Sequence, residues 1–238
     1  MFTFDADKTP NSNLTYKNLM IIGWENDRIK GGYYGIKAMY EIVKEAPDAF
    51  LYFISPDPRI KFLRGEIKDL NLTNKVKIIS YVTNISHYFL NASALLCPSK
   101  IESFPIVMNE GKAHGVPIIA FNVSYSPSYQ KGVILVDMLN YTQMAKEAIK
   151  LLNNYDYRKK MGIEAKLSLK EYSNEETANK WIDYFLFWIK KFLFLIKNYK
   201  IILMKNIMMK KKPKKDLNLI IILENHIIDI FVAILLMI

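Results

Sequence analysis

The sequence predicts an α/β protein: a parallel, Rossmann-like sheet with helices on both faces, followed by a C-terminal tail that is helical or disordered. Three observations predict it. Short apolar runs without polar alternation recur along the chain, as strands buried on both faces of a parallel sheet require. Stretches with helical period separate these runs, so strand and helix alternate. The polar residues with chemical potential cluster in loops that follow apolar runs, where an open parallel sheet binds its ligands.

Residues 1–17 form a polar lead-in with Pro10 among asparagines. Residues 19–22 are the first strand, ending at Gly23. A loop from Trp24 to Gly32 carries Arg28 and Lys30. Residues 33–45 have helical period, with Ile36, Met39, Tyr40 and Val43 on one face. Pro47-Asp48 breaks that helix, and 50–54 form the second strand. A helix over 60–70, a strand at 76–79, a short helix over 85–91 and a strand at 94–97 follow. Beyond the next stretch lie a strand at 133–136 and helices over 142–152, 157–169 and 175–188.

Residues 98–120 organise the rest. The loop after Cys97 carries Ser99 and Glu102. Pro105 suits the first turn of a helix, where its missing N–H and fixed φ are no handicap, and Ser103 stands where a cap belongs. The helix carries Glu110 and stops near Gly115, because Pro117 bars its continuation. A strand follows at 118–121. Backbone N–H groups at the helix start, among them those of Phe104, Ile106 and Val107, combine with the helix dipole into an anion site suited to phosphate. Glu102 lies beside that site. Glu110 lies further along and can accept hydrogen bonds from two adjacent hydroxyls, such as those of a ribose. Phosphate flanked by two hydroxyl-binding carboxylates suggests a nucleotide-sugar.

This stretch resembles the retaining glycosyltransferases of the GT-B fold, family 4 (glycosyl transferases group 1). Their signature is two glutamates with seven residues between, then Gly-x-Pro and an apolar strand. Here those are Glu102, Glu110, Gly115 and Pro117, with Pro98-Ser99 before them and Ser103-Phe104 between. The resemblance covers residues 18–184 and implies the C-terminal, donor-binding half of that fold. It implies that donor phosphates sit on the helix start after Ser103, neutralised by Lys30, with Glu110 on the ribose and Glu102 on the sugar hydroxyls. Catalysis would be retaining and mainly electrostatic, drawing on Glu102 and Lys30, with no metal or other cofactor. The family usually has Gly-Arg after the first strand and Lys-Gly several residues later. Gly23 and Lys30-Gly31 match, but Trp24 stands at the arginine position. Arg28 either supplies the missing charge from a different backbone position or is a solvated loop residue. Tyr81 occupies the loop that touches the base in the family, where packing is its other reading.

Other chemistries fit less well. A glycoside hydrolase needs carboxyls about 5–5.5 Å or 6.5–9.5 Å apart. Eight residues of mostly helical rise separate Glu102 and Glu110 by roughly 10–12 Å of backbone, which disfavours that pair. A dinucleotide dehydrogenase needs Gly-x-Gly-x-x-Gly after the first strand and an acid after the second; neither is present. The three histidines are scattered and form no metal-binding motif, and the lone Cys97 excludes an internal disulfide. His114, at the end of the signature helix, complements the dipole without further function.

The net charge of +10 does not signal nucleic acid. Residues 185–238 hold 10 lysines against Asp216, Glu224 and Asp229, and the remainder is nearly balanced. Three segments are thus expected: the lead-in 1–17, the donor domain 18–184 and a Lys/Ile-rich tail 185–238. Residues 217–238 have the length of a membrane span but contain Glu224, His226 and Asp229. The tail is open between a span, a helix on an anionic membrane surface and an extension without selected structure. A cytoplasmic setting is expected, with peripheral or tail-anchored membrane association if the tail engages lipid. The acceptor half of a GT-B enzyme would have to come from a separate N-terminal domain. The chain alone is therefore expected to be inactive, as a half-enzyme, a fragment or a non-catalytic nucleotide-sugar-binding module.

Overall fold

The computed structural model describes residues 17–23, 27–56, 61–80, 82–102, 106–123, 130–172 and 174–208. They contain six strands: β1 (Asn18–Ile22), β2 (Phe50–Ile54), β3 (Val76–Ile79), β4 (Ala94–Cys97), β5 (Ile118–Phe121) and β6 (Val133–Val136). All pair in parallel in the order β3-β2-β1-β4-β5-β6. The helices are α1 (Asp27–Lys30), α2 (Gly32–Glu45), α3 (Lys61–Asp69), α4 (Ser86–Leu90), α5 (Ile106–Ala113), α6 (Tyr141–Asn153), α7 (Tyr155–Ser168) and α8 (Asn174–Met208). A 3-10 turn, Leu169–Tyr172, follows α7.

Two-residue periodicity sends alternate strand side chains to opposite faces. Leu19, Ile21, Leu51, Phe53, Ile119 and Phe121 pack on one face with Ile36, Met39 and Ile42 of α2, Leu63 of α3 and Met144 of α6. Met20, Leu95, Ile118 and Ala120 pack on the other with Phe89 of α4 and Met108 of α5. Both faces are apolar, which is why the strands read as continuous hydrophobic runs. The register pairs Asn18 with Phe50 and Ile22 with Ile54, so β1 and β2 end level. The Gly23 N–H then donates to the Ile54 carbonyl at 2.9 Å.

Local chemistry sets the helix ends. The Asn140 and Asn154 side chains accept from the N–H groups of Gln143 and Tyr157 and cap α6 and α7. Gly115, at φ +67°, ends α5, with its own N–H on the Lys112 carbonyl and that of Val116 on the Gly111 carbonyl.

Two elements differ from the sequence reading. Residues 24–32 read as a loop, yet Asp27–Lys30 form one helical turn. Four residues are too few to show a helical period, and tertiary contact holds the turn. The last helix, expected over 175–188, runs on to Met208. No glycine or proline lies between Glu175 and Met208 to stop it.

The chain divides into two compact units, residues 1–174 and 175–238. In the second, α8 is the described element. Large apolar side chains around it, from Trp181 to Ile202, are exposed. Among the described residues no helix is long and apolar enough to cross a membrane. The stretch 217–238 lies outside the described residues.

Candidate functional site

Sheet order places a crevice between β1 and β4. The chain leaves β1 toward α2 on one face and leaves β4 toward α5 on the other, so the two exits diverge at the carboxyl ends. Lys30 belongs to the first exit and Glu102 to the second. Their side chains meet there: Lys30 Nζ lies 2.5 Å from Glu102 Oε1. The Glu102 side chain keeps 13% of its exposure and that of Lys30 keeps 30%, so the pair borders solvent and is partly sheltered from it.

Backbone contacts hold these two residues together. The Lys100 N–H donates to the Ile29 carbonyl at 2.7 Å, tying the loop after β4 to α1. Gly31 stands at φ +67° with its Cα against Pro98; a Cβ there would lie 2.0 Å from the Pro98 carbonyl oxygen. Only glycine meets both conditions. The Tyr34 N–H donates to the Gly31 carbonyl at 2.9 Å and so opens α2. Ser99, next to Pro98, is buried.

Cys97 lies at the end of β4. Burial pushes its thiol well above the usual range, with the Glu102 charge adding to that and the Lys30 charge opposing it. Its side chain packs, partly buried, against the apolar cluster around Met20 and Leu95.

Glu110 lies in the middle of α5 and is half-buried. Burial raises its carboxyl above the ordinary glutamate value, opposed by the charge of His114. His114 packs its ring over Phe89, centroids 5.0 Å apart and 18° between planes, and its Nδ1 is 2.7 Å from the Glu110 carbonyl oxygen. It therefore finishes α5 as the sequence suggested. Ile106 and Val107 are the first two residues of α5, where helix geometry leaves backbone N–H groups without intrahelical partners. Among the described residues, Asn109 beside Glu110 has a buried side-chain oxygen without a partner.

The structure thus brings Lys30 and Glu102 into contact. Gly23 lies at the end of β1, buried, with its Cα against the Phe53 ring. Arg28 sits in α1 two residues before Lys30, and its side chain lies outside what is described. Trp24, Tyr81, Ser103, Phe104 and Pro105 lie outside the described residues. Tertiary placement makes Gly31 the contact point with Pro98, a role that sequence reasoning missed; its one trace in the sequence is a glycine directly after the basic residue. A separate cleft, lined by Ser93, His114, Pro117, Arg158 and Lys159 among others, opens at the amino ends of β4 and β5, the opposite end of the sheet. There the Arg158 guanidinium donates to the Leu151 carbonyl at 3.1 Å, closing the end of α6.

A six-stranded parallel sheet of this order, with its crevice at the β1/β4 switch point, is one half of a GT-B glycosyltransferase fold. The chain belongs to the family described as glycosyl transferases group 1, whose model matches residues 12–168. It is 27% identical over 156 residues to an uncharacterised glycosyltransferase of Haemophilus influenzae, covering 64% of this chain and 44% of that protein. It is 26% identical over 151 residues to the poly(ribitol-phosphate) alpha-N-acetylglucosaminyltransferase of Staphylococcus aureus, covering 61% of this chain and 31% of that one. The chain spans less than half the length of these curated relatives. Among solved structures, a Staphylococcus aureus TarM variant in complex with UDP superposes with TM-score 0.67 at 22% identity, over 74% of this chain and 36% of that chain. The C-terminal domain of the group 1 protein LpcC of Francisella tularensis superposes with TM-score 0.58 at 19% identity, over 72% of this chain and 91% of that domain.

Proposed function

We propose that residues 18–184 are the donor domain of a family 4 glycosyltransferase and bind a nucleoside-diphosphate sugar. The observation that carries this reading is the Lys30–Glu102 pair at the switch point. A cation and a carboxylate side by side match the junction of such a donor, where an anionic diphosphate meets a hydroxyl-rich sugar. Lys30 takes the diphosphate, joined by the N–H groups of Ile106 and Val107 at the start of α5, by Ser103 and Phe104 from the sequence before it, and by Arg28. Glu102 accepts from sugar hydroxyls and Glu110 from the ribose. Tyr81 is assigned to the base, and the Gly23 backbone at the end of β1 to the donor's edge. Family membership and the UDP held by a structural relative support the same reading.

In the transfer we infer, the bond between the anomeric carbon and the diphosphate oxygen breaks. The acceptor oxygen bonds to that carbon from the same face, and the departing phosphate oxygen takes the acceptor proton. Lys30 and the α5 amides stabilise the charge that builds on the leaving group, with no obligatory metal. The acceptor surface belongs to an N-terminal GT-B half, and residues 18–184 by themselves transfer nothing, because cleft closure between two halves aligns the acceptor and excludes water. The second reading, a nucleotide-sugar-binding module without catalysis, is favoured by Trp24 in place of the family's arginine.

Calorimetric titration with UDP, GDP and their sugars tests the proposal. Binding tighter than millimolar, lost in Glu110→Ala, is expected. Absence of binding to all four ligands, or binding indifferent to Glu110→Ala, refutes it. Sugar transfer by this chain alone, abolished by Glu102→Ala, would refute the requirement for a second domain.

A further inference from the structure

The cleft at the amino ends of β4 and β5 carries three basic side chains, those of His114, Arg158 and Lys159, and none of its lining residues is acidic. Arg158 is partly buried. Its Nη1 donates to the Leu151 carbonyl at 3.1 Å and to the Leu152 carbonyl at 3.5 Å, both neutral acceptors. Among the described residues no carboxylate pairs with it. Burial pushes its guanidinium below the usual range, opposed only by Tyr155. With Nη1 engaged, the edge formed by Nε and Nη2 keeps two parallel N–H groups, the fork that grips two oxygens of one anion. Lys159 is the next residue of α7. It is exposed, its Nζ lies 5.7 Å from the centre of the Tyr155 ring, and it has no carboxylate partner among the described residues.

The backbone around the cleft adds to this charge and partly offsets it. The Asn154 side chain accepts from the Tyr157 N–H, and helix geometry leaves the N–H groups of Tyr155 and Asp156 without intrahelical partners. Asp156, the one acid of that turn, is exposed and lies outside the cleft wall. The amino end of α7 contributes about half a positive charge, and the carboxyl ends of α5 and α6 about half a negative charge each. Two full cations outweigh that difference. His114 supplies the complementary polarity. Its Nδ1 donates to the Glu110 carbonyl oxygen at 2.7 Å, so in the neutral ring Nε2 is an acceptor.

We propose that this cleft binds a phosphate group between Arg158, Lys159 and His114. The Arg158 fork takes two oxygens, Lys159 takes the third, and the O–H of the singly charged phosphate donates to His114 Nε2. A carboxylate has too few oxygens to meet all three side chains, and sulfate has no O–H for the imidazole. The inference stands apart from the donor site, which lies at the other end of the sheet and uses Lys30 and the glutamates.

Histidine-ring NMR of the full chain tests it, because the sequence holds only His87, His114 and His226. Titration with inorganic phosphate at constant ionic strength and neutral pH should move the His114 signal, identified by its loss in His114→Gln. Half-saturation at about 1 mM is expected, with sulfate about fivefold weaker for want of the one hydrogen bond. Arg158→Gln should abolish the response, but it also uncaps α6. Lys159→Glu is therefore the deciding variant: binding about tenfold weaker at an unchanged melting temperature. Methyl phosphate separates two sources of the group. Binding as tight as that of inorganic phosphate assigns a phosphomonoester, weaker binding assigns the free ion, and either supports the site. Equal shifts with phosphate and chloride, or a phosphate response that Lys159→Glu leaves unchanged, overturn the proposal. So does a response lost in Lys30→Met, because the anion would then sit in the donor crevice.

Discussion

The ammonium of Lys30 and the carboxylate of Glu102 are 72 residues apart in sequence and 2.5 Å apart in space. Each compensates the other at the mouth of the crevice. On the proposed function, a diphosphate competes there with Glu102 for Lys30, so the two residues should respond to substitution with opposite signs. Lys30→Met is expected to weaken diphosphate binding by about 1.5–3 kcal/mol, as for a charged hydrogen bond. It should cost about 1 kcal/mol of stability in urea denaturation, because solvent screens the pair. Glu102→Gln should strengthen binding of the bare diphosphate and erase any preference for the sugar-bearing form. Calorimetry that finds both variants weakened alike for the bare diphosphate would rule out this competition.

Glu110 supplies a pH prediction. Burial raises its folded-state pKa above the unfolded value, so folding favours the protonated acid. Above the raised value the ionised side chain costs stability, and that cost disappears as the pH falls through it. Glu110→Gln should therefore raise the urea midpoint at neutral pH, with the gain vanishing in acid. Nucleotide binding should run the other way: hydroxyls need the carboxylate, so wild-type affinity falls as Glu110 protonates, at a pH above that of an ordinary glutamate. A binding profile without such an acid limb would remove Glu110 from the ribose site.

Gly31→Ala tests the backbone contact between the two exits. The left-handed conformation and the approach to the Pro98 carbonyl together should cost about 2–4 kcal/mol. Nucleotide binding should fall with it, since the loop carrying Glu102 is displaced. Gly65 is the control: it has no heavy atom within 4 Å of a built Cβ, and Gly65→Ala in α3 should be tolerated or mildly stabilising. Equal denaturation midpoints for the two variants would contradict the contact.

Arg28→Ala separates the two readings of that residue. If Arg28 replaces the family's arginine, diphosphate binding weakens by about 1.5–3 kcal/mol while nucleoside binding is unchanged. Equal effects on the two ligands, or none, assign Arg28 to solvent. Trp24→Arg raising diphosphate affinity would identify this position as the one where charge has been lost.

How much of this was legible in the sequence differs by element. Strands β2 to β6 begin and end where the apolar runs do, because turn-forming residues such as Pro47-Asp48 and Pro117 punctuate them. β1 starts one residue earlier than its apolar run: Asn18 joins through backbone pairing with Phe50, which needs no particular side chain. The turn Asp27–Lys30 was not legible, since the Lys100–Ile29 hydrogen bond that braces it comes from distant sequence. The continuation of α8 required noticing that no breaker follows Trp188. Glu102 and Lys30 could each be picked out by spacing, but their mutual contact could not, because it depends on sheet order and on a glycine fitting beneath a proline carbonyl.

Gly31 against Pro98 has a consequence for how such a site ages. Its shape is held by main-chain atoms, whereas its reactivity resides in a few side-chain charges. A substitution that removes one charge can therefore leave the cradle intact. In this architecture chemistry can change one side chain at a time while the form persists.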